Sequence, residues 1–408
     1  MTTTTPDYDV VVVGARPAGA ATAMLLARAG LRVLALDRSA PDVDTISTHA
    51  LMRGGVLQLS RWGVLDEIVA AGTPAVRTTV YTYGGERREI AIKPAHGVDA
   101  LYAPRRTVLD PLLARAAGDA GADVRYRARV RGLVWQAGRV VGVRVEGAGL
   151  PSEVRCRLVV GADGIRSIVA RLAHAATQHV GSSHAAVTYG YWRDLAVDGY
   201  EWTFRPDACT GAIPTNDGRV CVFACAQPAS IRRGGVDVIR RVATIADPLL
   251  AERLDSATAP SRAWTWPGVT GYLRAAHGPG WALVGDAGYF KDPVVAHGLT
   301  DALRDAELLA RAVVAGFADG RLNARLAEYQ ATRDRLSLPL FETADRLASH
   351  RWDDREVDQL VRRISSATSA EVELLAGLEH PILNPSIANP SIPNTPIPNT
   401  TILEGSTS

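Results

Sequence analysis

The stretch Tyr8-Asp9-Val10-Val11-Val12-Val13-Gly14-Ala15-Arg16-Pro17-Ala18-Gly19 decides the fold. A continuous β-branched run has no polar face to show to water, so it reads as a strand buried on both sides of a parallel sheet. Gly14 permits a tight turn, Gly19 lets a helix pack back on the strand, and the Ala/Leu-rich segment to Ala29 supplies that helix. Gly30 stops it, and Leu31 to Leu36 reads as a second strand. The βαβ unit so closed has about the thirty residues such a unit needs. Its helix N-terminus offers free N–H groups to a pyrophosphate, and Asp37, ending the second strand, offers a carboxylate to a ribose. Half of a Rossmann-type dinucleotide-binding domain therefore opens the chain, with Arg16 standing where G-x-G-x-x-G has its middle glycine.

Outward from this unit, Met52 to Ala70 reads as a helix and Thr107 to Ala120 as another, with alternating stretches at Val80 to Ile92 and Val124 to Val145. Leu158 to Val160 and Trp281 to Val284 are short apolar runs that return to the parallel sheet, so the nucleotide domain is discontinuous in sequence. Between them, Val187 to Trp192, Tyr200 to Phe204 and Arg219 to Ala226 point to a second, antiparallel domain. The expected division is a dinucleotide-binding α/β domain over 1–80, 101–172 and 276–320, and a substrate domain over 81–100 and 173–275. A C-terminal helical region follows over 321–380, carrying helical spacing at Leu322 to Leu347 and Glu356 to Leu378. Residues 381–408, with N-P-S-I and P-N-T-P-I near-repeats, read as a disordered tail.

The chain of 408 residues is 47% apolar and 22% charged, an ordinary globular balance that disfavours a disordered or fibrous protein. Its net charge of +2, with the basic residues spread along the chain, leaves no footprint for nucleic acid. Cys156, Cys209, Cys221 and Cys225 form neither a CxxC pair nor a zinc spacing, so no metal and no dithiol centre is expected. A polar Met1 to Pro6 without a basic region, and apolar runs too short to span a bilayer, point to a cytoplasmic protein without a membrane anchor.

Two further motifs follow apolar strands: Gly161-Ala162-Asp163-Gly164-Ile165-Arg166-Ser167 and Gly285-Asp286-Ala287-Gly288. With the first motif, in this order and spacing, residues 7 to 320 resemble the p-hydroxybenzoate hydroxylase-like (group A) flavin monooxygenases and their relatives, the geranylgeranyl reductases and flavin-dependent halogenases. The resemblance implies FAD held by Gly14, Ala15, Arg16, Pro17, Ala18 and Gly19 at the pyrophosphate and by Asp37 and Arg38 at the adenosine end. It implies Arg53 at the pyrophosphate, Arg106 (or its neighbour Arg105) and Asp286 at the ribityl chain, Val130 at the adenine, and Asp163 in a motif serving FAD and reductant. Pro293, Gly298 and Leu299 fall in the loop that lies beside the isoalloxazine. That loop here lacks the second glycine and the asparagine of the family's P-x-x-G-x-G-x-N.

A helix beginning at Gly298 would aim its positive end at the flavin. The resemblance further implies NAD(P)H as a transient reductant, molecular oxygen as co-substrate and a small aromatic or other organic substrate that is hydroxylated or epoxidised. His297 and Lys291 flank the loop and are the candidates for a base or charge stabiliser, since an imidazole titrates near neutrality, against the alternative of exposed loop charges. Tyr191, Trp192, Trp202, Phe204, Trp264 and Trp266 are the candidate lining of a substrate cavity, against the alternative that strand aromatics fill a sheet core. Three readings compete with monooxygenation. Halogenation has Phe290-Lys291-Asp292-Pro293 in its favour but lacks the W-x-W-x-I-P signature, with Cys209 and Gly211 at the tryptophan places, and Lys93 lacks the expected glycine-rich context. Ene reduction of an isoprenoid and flavin binding without catalysis complete the set.

Overall fold

A computed structural model describes residues 6–231, 234–380 and 382. The expectations made for Met1 to Thr5 and for the tail lie outside these residues, apart from Pro6 and Ile382. Strand Tyr8–Val13 pairs in parallel with Val33–Leu36 on one side and with Glu153–Gly161 on the other. Asp123–Arg125 continues the sheet beyond Val33–Leu36, and Trp281–Leu283 continues it beyond Glu153–Gly161, both in parallel register. His277–Gly278 closes that edge antiparallel.

The valine run is apolar throughout because both faces are covered. Val10 and Val12 pack into the core under helices Pro17–Arg28, Arg106–Asp119 and Gly298–Ala318. Val11 and Val13 pack into a second core under the antiparallel strands Arg129–Gln136 and Arg139–Glu146. A period of two sends alternate side chains to opposite faces, and here both faces are inside. The expected helix over Met52 to Ala70 is two helices, Arg53–Arg61 and Leu65–Ala70, broken at Gly63, whose φ of +71° is in glycine's range.

The second domain is a seven-stranded sheet in the order Trp264–Trp266, Ala186–Trp192, Arg219–Ala226, Ala208–Thr215, Tyr200–Arg205, Thr78–Tyr83, Glu86–Ala91. All neighbours are antiparallel except Tyr200–Arg205 with Thr78–Tyr83, which run parallel. One face of this sheet, with Tyr189, Tyr191, Trp202 and Phe204, turns toward the long helices Leu322–Ala348 and Asp354–Ala376. The other, with Trp192, is covered by helices Val236–Ala246 and Pro248–Ser256. Thr177–Val180, Tyr272–Arg274 and Tyr289–Phe290 form a third, three-stranded sheet, of which Tyr289 and Phe290 border the cleft described next. No helix among the described residues is long and apolar enough to cross a membrane.

Candidate functional site

Parallel strands Tyr8–Val13 and Glu153–Gly161 leave the sheet in connections of opposite direction, and the crevice at such a switch point, beyond the carboxyl ends of the strands, is where open α/β sheets bind ligands. A cleft of about 790 Å³ opens there. Gly14, Arg16, Pro17, Ala18, Asp37, Arg38, Arg106, Val130, Asp163, Asp286, Lys291, Pro293, Gly298, Leu299 and Trp266 line it.

The first turn is built by exclusion of side chains. A Cβ on Gly14 would fall 2.4 Å from the carbonyl oxygen of Ala162, and one on Gly19 would fall 1.8 Å from that of Gly14. Nothing larger than hydrogen fits either place, so turn, helix and the Ala162 strand end close on one another. Ala15 sits behind this turn, buried, and donates its N–H to Asp37 Oδ2 at 3.0 Å.

Asp163 serves the local fold as well as the cleft. Its carboxylate accepts from Ser167 Oγ at 2.5 Å and from the Ile168 N–H at 2.6 Å, at the start of the short helix Ile168–Leu172. Burial raises its pKa, and these donors oppose the rise. Asp286 is raised to about 6 by burial, against the pull of Lys291 and Arg106. The Tyr272 hydroxyl donates to the Asp286 carbonyl at 2.6 Å, pinning the Gly285–Ala287 turn to the three-stranded sheet. Arg106 also lines the cleft and is fixed by a bidentate pair with Asp110 at 2.6 and 2.7 Å.

Arg53 does not line the cleft. Its guanidinium donates to the carbonyls of Val98 at 3.0 Å and Lys93 at 2.7 Å, so in this conformation it braces the 93–98 loop. Lys93 is exposed and likewise outside the cleft lining.

The loop after Asp286 differs from the expectation in a physically specific way. Ala296 takes the left-handed conformation, φ +47° and ψ +39°, which glycine adopts at no steric cost. His297 is 2% exposed and lies beneath the loop, outside the cleft lining, with Nδ1 3.2 Å from Asp301 Oδ1. Lys291 pairs with Asp301 Oδ2, its ammonium 4.8 Å from the Tyr289 ring centroid. Burial and Arg304 push its pKa down to about 7.

Of the six aromatic candidates only Trp266 reaches the cleft wall. Trp192 faces the opposite side of its sheet, Trp202 packs on Phe223 at 5.5 Å between ring centroids, and Phe204 packs on Trp352 at 6.4 Å. Tyr191 and Trp264 stand one layer behind the wall. Two residues that the sequence did not single out stand in front of them. Tyr189 lines the cleft, stacked on Trp264 at 5.5 Å, with its hydroxyl accepting the Ser47 N–H at 3.1 Å. His49 also lines it, with Nε2 in contact with the Tyr191 hydroxyl and the two rings stacked at 5.7 Å. Burial, Arg106 and Arg105 hold the His49 imidazole neutral, with its pKa pushed down to about 3, and its Nδ1 is buried without a protein partner. Arg105 lays its guanidinium 4.6 Å above the Tyr191 ring.

These residues suit FAD. A side-chain-free turn at a helix start, a carboxylate at the end of the second strand, a buried carboxylate deep in the cleft and a second helix, Gly298–Ala318, starting at the wall are features that suit such a dinucleotide. Residues 7–343 match the family described as FAD binding domain. The chain is 28% identical over 388 residues to digeranylgeranylglycerophospholipid reductase 1 of Methanopyrus kandleri, covering 90% of this chain and 96% of that protein. With reductase 2 of the same organism it is 37% identical over 173 residues, and there it spans only 40% of the relative's length. Among solved structures, the flavin-dependent brominase Bmp2 superposes with a TM-score of 0.75 at 18% identity, over 91% of this chain and 93% of that one. PqsL of Pseudomonas aeruginosa, in complex with 2-aminobenzoylacetate, superposes with a TM-score of 0.73 at 21% identity, over 89% and 99%. At these identities the two structures show a shared fold.

Proposed function

Because the chain belongs to the FAD binding domain family and is a flavin-dependent oxidoreductase, we propose that it is a monooxygenase, reduced by NAD(P)H, that transfers one oxygen atom of O2 to a small aromatic molecule. The observation that carries this reading is the cleft lining that accompanies the Pro293–Leu299 loop, where His49, Tyr189 and Trp266 bring three flat rings together. Rings stack on rings with roughly 0.5–1.5 kcal/mol beyond their burial, which favours a flat aromatic guest. A long isoprenoid offers no stacking to such a wall.

FAD would be held by Gly14 to Gly19, Asp37, Arg38, Arg106, Val130, Asp163 and Asp286, with Pro293, Gly298 and Leu299 beside the reacting ring, where it supplies two-electron transfer and activation of oxygen. The chain's own residues prepare the place. The Gly298–Ala318 helix directs its N-terminal dipole to the cleft and favours negative charge there. Val187, Tyr189, Trp266 and Phe290 keep water from the substrate side, which strengthens every fixed dipole around it. His49, held in place by Tyr191 and kept neutral by burial and by Arg106 and Arg105, is a fixed, uncharged part of the wall.

The competing reading, saturation of an isoprenoid double bond, has the sequence likeness to the archaeal reductases in its favour. Purified protein should release FAD on mild heating and consume NADH or NADPH in air faster when an aromatic substrate is supplied. Labelled dioxygen should then appear in the product. Turnover that ignores oxygen and gives a saturated product would establish the reductase reading, a strict halide requirement would establish halogenation, and an inert FAD-bound protein would leave a binding module.

A further inference from the structure

Behind the Pro293–Leu299 loop lies a buried ionic cluster whose charges do not balance. Lys291, His297, Asp301, Arg304, Asp305 and Glu371 are each 6% exposed or less. Asp301 accepts Lys291 on one oxygen and Arg304 Nη1, at 2.9 Å, on the other. Arg304 also holds Glu371 Oε2 at 2.8 Å, Asp305 Oδ1 at 2.7 Å and Ser337 Oγ at 2.9 Å. Two cations thus face three carboxylates, and an uncompensated charge in such a place costs several kcal/mol.

The vacant bonding positions say where the balancing proton sits. His297 Nδ1 faces Asp301 and carries a hydrogen for it, leaving Nε2 bare. His297 Nε2 and Glu371 Oε1 are both buried, both without a hydrogen-bond partner, and 3.7 Å apart. Asp305 Oδ2 is also unpartnered, but it has no second vacant group within ion-pair distance. Room for the Glu371 carboxylate is made by Gly54, where a Cβ would lie 2.7 Å from Oε1. Of the ionisable groups on neighbouring elements, Asp286 acts on Lys291 and Asp305 from the cleft side, and the others are turned away. Arg53 and Arg61 of the helix Arg53–Arg61 are turned to the carbonyls of Val98, Lys93, Leu375 and Leu378. Arg333 of the helix Leu322–Ala348 is paired with Asp334, and Glu373, on the same helix as Glu371, pairs outward with His96. Asp286 and the Tyr289 ring border the cluster from the cleft side.

We propose that the facing, unpartnered His297 Nε2 and Glu371 Oε1 form a site for one exchangeable proton, and that over the pH range in which this site is empty in the oxidised protein it takes up a proton from solvent when the flavin in the cleft is reduced. The electrostatics follow from the count. With the proton the cluster is neutral, and without it the cluster is −1. Reduction adds negative charge in front of Lys291, so the proton-bound form is favoured in the reduced protein. Reduction brings two electrons from the reductant to the flavin, and one proton passes from solvent to the His297–Glu371 pair, forming an O–H bond on Glu371 as an O–H bond of the solvent donor breaks. Burial with Lys291 and Arg304 holds the imidazole well below its ordinary range while burial raises Glu371, so the proton, when bound, sits on Glu371 Oε1 on the side of Nε2. His297 and Glu371 act through Asp301 and Lys291 on the cleft and are positioning residues.

The inference rests on the reading of the cleft as a flavin site. Its test is the midpoint potential of the bound FAD, titrated with dithionite and a reference dye at several pH values. Wild type should show a pH range in which the reduction equilibrium changes by an additional tenfold per pH unit, about 30 mV for a two-electron couple. Glu371→Gln keeps the shape, removes the ionisable group and should lose that component, as should His297→Gln if the first variant folds poorly. Identical pH dependence in wild type and both variants overturns the proposal. Failure of the protein to take up FAD at all would instead overturn the flavin reading on which it rests.

Discussion

The backbone N–H of Ala15 donates to Asp37 Oδ2 at 3.0 Å, so the turn after the first strand is held by the carboxylate that ends the second. The other oxygen accepts the Ser39 N–H at 2.8 Å and fixes the next turn. Bonds to a charged acceptor contribute roughly 1.5–3 kcal/mol each. Asp37→Ala is therefore expected to weaken FAD binding by about ten- to a hundredfold, and Asp37→Asn by less, because its one oxygen still accepts. Flavin fluorescence titration measures both, and wild-type affinity in Asp37→Ala would remove this residue from the site.

Gly14 and Gly19 make the same turn possible by having no side chain. Gly14→Ala has to place a Cβ against the Ala162 carbonyl at a φ of +107°, and Gly19→Ala has to place one inside the Gly14 carbonyl. Both clashes are with backbone, which cannot rotate away, so each variant should lose about 2–4 kcal/mol of stability and bind no FAD. Chemical denaturation of the apo-proteins reads this directly, and a variant as stable as wild type would mean that the turn opens freely.

The turn was legible in the sequence because its demands are local: strand, glycine, helix and acid follow in order. The strand Ala208–Thr215 was not. Gly211 and Pro214 argue against a strand, yet it is central in its sheet, and a Cβ on Gly211 would lie 2.4 Å from the Glu201 carbonyl and 2.6 Å from the Phe223 ring. Close approach of neighbouring chains, which no propensity records, is what puts glycine there. His49 was missed for a similar reason. Nothing in its loop has a period, and its partner Tyr191 is 142 residues away. Glu371 reads as one more charge on a polar helix, and only the tertiary contact with Arg304 makes it part of the loop's electrostatics. Conversely, the aromatic strands were found correctly, but Trp192, Trp202 and Phe204 fill sheet cores, because which face of a strand meets a ligand depends on what packs against each face.

Ala296 occupies a conformation that costs an L-residue about 1 kcal/mol or more. Ala296→Gly should relieve that strain and raise stability by up to about 1 kcal/mol, less the extra entropy glycine has in the unfolded chain. A melting temperature below that of wild type would show that the Cβ makes packing contacts worth more than the strain.

Asp286 gives a pH dependence whose sign can be worked out. In the folded apo-protein its pKa is about 6, while an unfolded chain has about 3.9, so the fold disfavours the ionised form. This group costs no stability below the unfolded value. Stability then falls as pH rises from about 4 to 6, and the full cost persists above, at most about 3 kcal/mol because the carboxylate opens on a wet cleft. Asp286→Asn should match wild type in acid and exceed it in apo-protein stability above about pH 6. FAD binding should show the opposite preference. Hydroxyl donors favour the ionised acceptor, so wild-type affinity should rise up to about tenfold per pH unit as pH approaches 6 from below and level off above it. In Asp286→Asn the affinity should be about ten- to a hundredfold weaker at neutral pH and flat with pH. Titrations over roughly pH 5 to 8 decide between these profiles. Parallel curves for the two proteins would mean that the Asp286 carboxylate does not receive the flavin's hydroxyls.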